Sequence, residues 1–379
     1  MKKILFISVR NPYSGRYSGD VIRSLKILKL LKKKYDVNCV YLKKKEESNI
    51  EDKNDLAFKH PNFLLKIIYC FLSLIRIEPV HFGLFYSSEM KNYLENHASQ
   101  YDYLFFYHIR SSQFLPKDYN GKTILEMGDL YSYNYYQTYK YLSLLNPLKY
   151  IYYLESLLVK NTENTILKTF DRITLFSKNE TKKINKNFKN KVFQIDESSE
   201  ISMSRFSFSN KKNRILFVGN LGYLPNLLAC KDFVYKVLPS LNKTMPDLKF
   251  SIIGEISSLN KFFFPRRKNV ELLGIKKDIK KYVKSSFCGI ANLQISTGVQ
   301  GKVLTYMAHR LPVICSFKVA KNFGTSVINY KQNKDLIKII LDLRKNKHKS
   351  NNFSKRSFNY VKKFSWKRIS LKYLKLLNF

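Results

Sequence analysis

Residues 214–226 read RILFVGNLGYLPN: an unbroken apolar run, a loop with two glycines, then a proline and asparagine at the start of a helical pattern. An apolar run without polar alternation is buried on both faces, as strands of a parallel sheet are. A loop and helix following it make the first half of a βαβ unit. Upstream, residues 196–212 (DESSEISMSRFSFSNKK) are polar, serine-rich and without helical or strand period, so they read as an interdomain linker. The same strand–loop–helix pattern therefore restarts here, because the amino terminus already carries it. There the spacing predicts a strand at 4–9 and a glycine loop with Gly15 and Gly19. A helix follows, opening at Asp20, whose side chain caps it, with Val21, Leu25, Leu28 and Leu31 on one face. A second strand is expected at 37–42.

Working outward, the first half carries further apolar runs at 103–107, 123–126 and 172–176, separated by a Tyr-rich helical stretch over 131–168. The second half continues with a helix over 226–241, strands at 250–253, 270–273, 287–291 and 313–315, and a helix over 300–309. Strands alternating with helices predict an α/β chain with parallel sheets and right-handed crossovers. The expected organisation is two Rossmann-like, doubly wound domains facing across a cleft. Residues 1–195 form the first domain, 196–212 the linker and 213–362 the second domain. A helix within 363–379 crosses back to the first domain, anchored by Trp366. Ligands of such sheets bind beyond the carboxyl ends of the strands.

Composition narrows the chemistry. The 379 residues are 45% hydrophobic and 25% charged, values of a globular chain long enough for two cores. The formal net charge of +40 favours phosphate-rich partners. No recognition module for nucleic acid accompanies that charge, so no nucleic-acid partner is expected. Cys39, Cys70, Cys230, Cys288 and Cys315 show neither metal nor redox spacing, which fits a reducing, cytoplasmic compartment. The apolar stretch 63–75 contains Lys66 and is too short to span a bilayer. Cationic residues interleave with aromatics over 58–86 and 131–168, which suits peripheral contact with an anionic membrane at its inner face. P-loop, G-x-G-x-x-G, H-E-x-x-H, D-x-D and G-x-S-x-G patterns are all absent from the sequence, so neither metal nor other cofactor is expected.

Two segments carry a resemblance: FVGNLGYLPN at 217–226 and VQGKVLTYMAHRLPVI at 299–314. Together they resemble the bacterial family-4 glycosyltransferases, in particular a subgroup with G-N-x-x-Y-x-P-N and G-[IV]-Q-x-K-V-L-x-x-M-A motifs. The likeness is looser over the first half, at the glycine loop, His108, residues 126–129 and residues 170–171. The resemblance implies a GT-B fold, a nucleotide-diphosphate sugar as donor, and transfer with retention and without metal. A glycan or lipid-linked acceptor fits this, as in assembly of a surface polysaccharide.

The residues give that implication a physical form. Gly298, Gln300 and Gly301 stand where a loop becomes a helix, whose free N–H groups and dipole favour a diphosphate. Lys302 in the first turn can place an ammonium on the same phosphates and on charge developing at the leaving group. Gly219 and Asn220 follow a strand and face the expected cleft, and Gly274 to Asp278 border the nucleotide base. By resemblance His108 approaches the donor sugar, and Gly15 and Gly19 bring backbone N–H groups to sugar or acceptor. Thr305 stands where the family carries a Glu for the ribose, and Thr297 where a partner Glu is common. That departure raises a rival reading, a weakened or inactive homologue that binds rather than transfers. Other rivals are a nucleotide-sugar epimerase and a basic nucleic-acid binder.

Overall fold

Ile4, Leu5, Phe6 and Ile7 are fully buried, as an apolar strand covered on both faces requires. In the computed structural model, which describes residues 1–15, 18–47, 52, 54–182, 184, 188, 190–202 and 206–378, they lie at the centre of the first of two sheets. Residues 16–17 of the glycine loop and 203–205 of the expected linker lie outside the described residues.

The first sheet is formed by β1 (Lys3–Ser8), β2 (Asp36–Lys43), β3 (Leu56–Lys59), β4 (Tyr103–Tyr107), β5 (Lys122–Gly128), β6 (Arg172–Leu175) and β7 (Val192–Gln194). Its order is β3-β2-β1-β4-β5-β6-β7, every pair parallel. The second contains β8 (Arg214–Val218), β9 (Lys249–Ile253), β10 (Val270–Leu272), β11 (Ser286–Ala291), β12 (Val313–Ser316) and β13 (Ile328–Tyr330), in the order β10-β9-β8-β11-β12-β13 and again all parallel. In both sheets the strand order reverses beside the first strand, at β1/β4 and at β8/β11. That reversal opens a crevice at the carboxyl ends of those strands, the place where doubly wound sheets hold ligands.

The chain divides into two compact units, Met1–Asp196 with Ser370–Phe379, and Glu197–Ile369. The end of the last helix, Trp366–Leu376, therefore belongs to the first unit. Its anchor there is Tyr373, fully buried, whose hydroxyl takes a 2.5 Å hydrogen bond from Arg23. Arg23 also donates to Glu126 at 2.9 Å, with both side chains buried, and lies 4.3 Å from the centre of the Phe176 ring. Trp366, the expected anchor, is only half-buried.

Three local expectations need correction. The first helix spans Gly19–Lys32, with Asp20 inside its first turn rather than capping it. There the carboxylate still meets the positive end of the helix dipole, and it pairs with Arg10. The helix expected over 226–241 is three pieces: Leu224–Asp232, a π-turn at Phe233–Val237, and Leu238–Thr244. Pro239 has no N–H for the regular ladder, and the wider turn before it absorbs the mismatch. Finally, β3, β7 and β13 were not expected.

Candidate functional site

At the crevice of the second unit, Val218 is the last residue of β8 and its N–H donates to the Tyr306 hydroxyl at 2.7 Å. Tyr306 belongs to the helix Gly301–Ala308, and its ring packs against Gly289 of β11. A Cβ at Gly289 would stand 2.6 Å from that ring, so the glycine is what lets the helix settle on the sheet. This contact sets the amino end of Gly301–Ala308 beside the loop that follows β8. A second close approach shapes the floor. A Cβ at Gly254, φ +154°, would stand 2.0 Å from the Gly219 carbonyl oxygen, so only glycine passes there. The Gly254 N–H donates to the Gly274 carbonyl at 3.0 Å and the Gly219 N–H to the Ile253 carbonyl at 2.8 Å, which ties the ends of β8, β9 and β10 together.

Lys302 reaches into this corner. Its ammonium donates to Asn226 Oδ1 and stands 4.3 Å from the centre of the Phe217 ring; a Cβ on Gly219 would lie 3.2 Å from it. Burial lowers the Lys302 pKa from 10.5 to about 8, a cost to the charge that nearby anions would repay. Asn226 in turn donates to the Asn220 carbonyl at 2.8 Å. The Asn220 side chain donates to Glu255 at 2.9 Å and accepts from the Gly222 N–H at 2.6 Å. Gln300 stands at the N-cap, but its amide turns back to the Thr297 carbonyl at 2.9 Å, leaving the first-turn N–H groups clear of it. Gly298, φ +61°, receives a hydrogen bond at its carbonyl from Asn322.

The structure thus brings Gly219, Asn220, Gly274, Gly298, Gln300, Gly301 and Lys302 to one end of one sheet. Two assigned residues are engaged elsewhere. Thr305 donates its hydroxyl to the Gly301 carbonyl one turn back, at 3.0 Å. Asp278 is exposed and accepts from the Lys280 N–H at 2.8 Å, which starts the helix Lys280–Ser285. Asn226, Glu255, Tyr306 and Asn322 received no site role from the sequence. Asn226 closes the G-N-x-x-Y-x-P-N pattern, the one available signal; its partner Lys302 is 76 residues away.

The crevice of the first unit is built around His108, immediately after β4. Its backbone holds φ +75° and ψ +145°, a region costly for any side chain. The Arg110 N–H donates to Nδ1 at 3.4 Å, so the neutral ring carries its proton on Nε2, 2.5 Å from the Tyr131 hydroxyl. Burial, then the nearby charges of Arg110, Arg10 and His81, holds the His108 pKa well below the usual value. The ring is a neutral hydrogen-bonding group at pH 7. Gly15, φ +65°, follows the loop after β1, and Gly19 is the first residue of its helix.

Comparison with known proteins fits this geometry. Residues 212–345, most of the second unit, match the family model described as glycosyl transferases group 1. No curated protein matches the chain in sequence. Over essentially their whole lengths, however, solved structures superpose on it. Sucrose-phosphate synthase from Thermosynechococcus elongatus does so with TM-score 0.72 at 13% identity, covering 99% of this chain and 98% of its own. Anabaena Alr3699/HepE, in complex with UDP and glucose, gives 0.66 at 10%, covering 100% and 99%. A mutant TarM of S. aureus, in complex with Fondaparinux, alpha-GlcNAc-glycerol and UDP, gives 0.64 at 12%, covering 100% of both chains.

The chain has the GT-B fold.

Within this GT-B chain the match to glycosyl transferases group 1 covers β8 to β13 and contains both crevice motifs, 217–226 and 299–314. Among the described residues, no three His, Cys, Asp or Glu side chains come together in a way that could hold a metal ion.

Proposed function

We propose that this protein is a glycosyltransferase that moves a sugar from a nucleotide-diphosphate donor to a hydroxyl of a glycan or lipid-linked acceptor, with retention of configuration and without a metal ion. The observation that carries the reading is Lys302. The ammonium of a half-buried lysine, its pKa lowered, stands at the amino end of the helix Gly301–Ala308, beside two glycine-bearing strand ends and at the point where the strand order reverses. A diphosphate is the ligand such a corner suits. The helix supplies N–H groups, the glycines allow close backbone approach, and the lysine supplies charge where the bond to the leaving phosphate breaks. The UDP and UDP-glucose in the Anabaena complexes support the same donor class here. His108, neutral and oriented by Arg110, can exchange its Tyr131 bond for one from Nε2–H to the transferred sugar without competing for the anion. Catalysis on these terms is positioning and electrostatic stabilisation, with no protein nucleophile.

Thr305 supports a second reading. Its hydroxyl is held by its own helix where the related family places a carboxylate for the ribose, which favours a weakened or purely binding homologue. One assay separates the two: transfer from a panel of nucleotide sugars with EDTA present, product anomer read by NMR, and Lys302→Ala as control. Retained-configuration product, lost in Lys302→Ala, supports transfer. Binding of donor without turnover supports the second reading. Equal transfer by Lys302→Ala refutes the phosphate role.

A further inference from the structure

Two helices of the first unit turn large apolar side chains to solvent, although the second half of the longer one buries Leu158, Val159, Ile166 and Leu167. In Phe63–Ile75 the side chains of Phe63, Leu64, Ile67, Ile68, Phe71 and Ile75 are exposed, Phe63 at 75% and Phe71 at 63%, and only Ser73 is buried. In the long helix Leu148–Thr169, Lys149, Glu155, Ser156 and Glu163 are buried while Leu148, Ile151, Leu154 and Leu157 are exposed. The loop leading into it carries Leu144 and Leu145, the latter 95% exposed. Both helices flank the short turn Val80–Gly83. A Cβ on Gly83 would strike the Cys70 backbone at 2.3 Å, and His81 holds Glu155 at 3.0 Å. The two helices are therefore neighbours on either side of that turn. So many large apolar side chains exposed on neighbouring helices exceed what a protein freely leaves to water.

Charge identifies what covers it. Glu155 is bound by His81, and Glu163 by Ser132 through a 3.1 Å backbone bond. Among the described residues of these two helices and the Tyr-rich helix Tyr131–Tyr141, the exposed charges are Lys140, Lys160 and Lys168, with Arg76 at the end of Phe63–Ile75 and half-buried Lys66 within it. Every exposed one is cationic, and Glu78, half-buried two residues beyond Arg76, is the one acid beside them. A second copy of this chain would set cation against cation across a self-complementary contact. An anionic bilayer meets both properties at once, taking the apolar side chains among its acyl chains and the cations at its headgroups. Phe63–Ile75 is about 20 Å long, short of the roughly 30 Å hydrocarbon core, so it lies along the surface rather than across it. No described helix is long and apolar enough to cross a membrane.

We infer that the face formed by Phe63–Ile75, the 142–147 loop and the first half of Leu148–Thr169 docks the protein on an anionic lipid surface. This surface stands independently of the transfer chemistry, and its test uses no nucleotide. The full chain is cosedimented with vesicles of phosphatidylcholine containing 30% phosphatidylglycerol, and with pure phosphatidylcholine, at low and high salt, beside sedimentation velocity without lipid. The chain binds the anionic vesicles at low salt, and each removed cation (Lys140→Gln, Arg76→Gln) weakens partitioning about fivefold. Phe71→Ser with Leu145→Ser weakens it at least tenfold at unchanged melting temperature, and Lys302→Ala binds as the parent does. Failure to bind anionic vesicles at low salt overturns the inference. So does binding that ignores Phe71→Ser with Leu145→Ser, or a dimer that this pair abolishes.

Discussion

Lys302→Met keeps the length and apolar stem of the side chain and removes its charge. The ammonium it deletes donates to Asn226 and stands over Phe217, and burial has lowered its pKa from 10.5 to about 8. That gap corresponds to at most about 3 kcal/mol of unfavourable charge burial at pH 7, less what solvent recovers at a half-buried side chain. The sign follows from linkage. A base whose folded pKa is depressed destabilises the fold in full below pH 8, and the cost fades as pH rises towards 10.5. Against this relief stands one lost charge-assisted hydrogen bond, of about 1.5–3 kcal/mol. The two terms nearly cancel. At about 2–4 °C per kcal/mol for a unit of this size, Lys302→Met melts within a few degrees of the parent, or above it. Affinity for UDP, having no such compensation, falls about 10–100-fold. Differential scanning calorimetry and isothermal titration calorimetry with UDP, run side by side, read both quantities. A variant that melts far lower yet binds UDP as tightly refutes the reasoning and makes Lys302 a brace between the helix and β8.

Three other outcomes follow from the same geometry. Above pH 8 the UDP dissociation constant rises, by up to tenfold per pH unit, because the complex holds a proton that free Lys302 releases; a flat profile contradicts this. His108→Gly relieves a backbone conformation worth about 1–3 kcal/mol but leaves the Tyr131 hydroxyl unpaired at a similar cost, so the melting temperature moves little while transfer falls about 100-fold. Transfer at the parent rate removes His108 from the site. Arg23→Ala strands Glu126 in the interior and costs about 3–5 kcal/mol in urea unfolding; a loss under 1 kcal/mol means the Arg23–Glu126–Tyr373 cluster carries little.

How much of this the sequence held depends on the range of each interaction. Strands β1, β4, β8 and β11 are central, covered on both faces and therefore uninterrupted apolar runs, and they were legible within a residue or two. The strands that escaped, β3, β7 and β13, lie at or next to sheet edges, have three or four residues and leave no run to read. The break at Phe233–Val237 follows from Pro239, visible in the sequence but outweighed by the apolar period around it. Lys302 and the glycines of the crevice could be placed because a helix start after a strand is a local pattern. Asn226 as the partner of Lys302, and Tyr373 rather than Trp366 as the anchor of the last helix, depend on contacts across 76 and 350 residues. Composition also showed an apolar stretch at 63–75 without showing which way it faces. Only tertiary packing decides whether such a face turns inward or outward.

The central claim is a diphosphate at the head of the helix Gly301–Ala308. A crystal structure of the protein with UDP tests it most directly. The account predicts pyrophosphate oxygens within hydrogen-bonding distance of the first-turn N–H groups and of Lys302 Nζ, with the ammonium drawn away from Asn226. A pyrophosphate bound elsewhere, with that helix end and Lys302 as they stand without ligand, contradicts it.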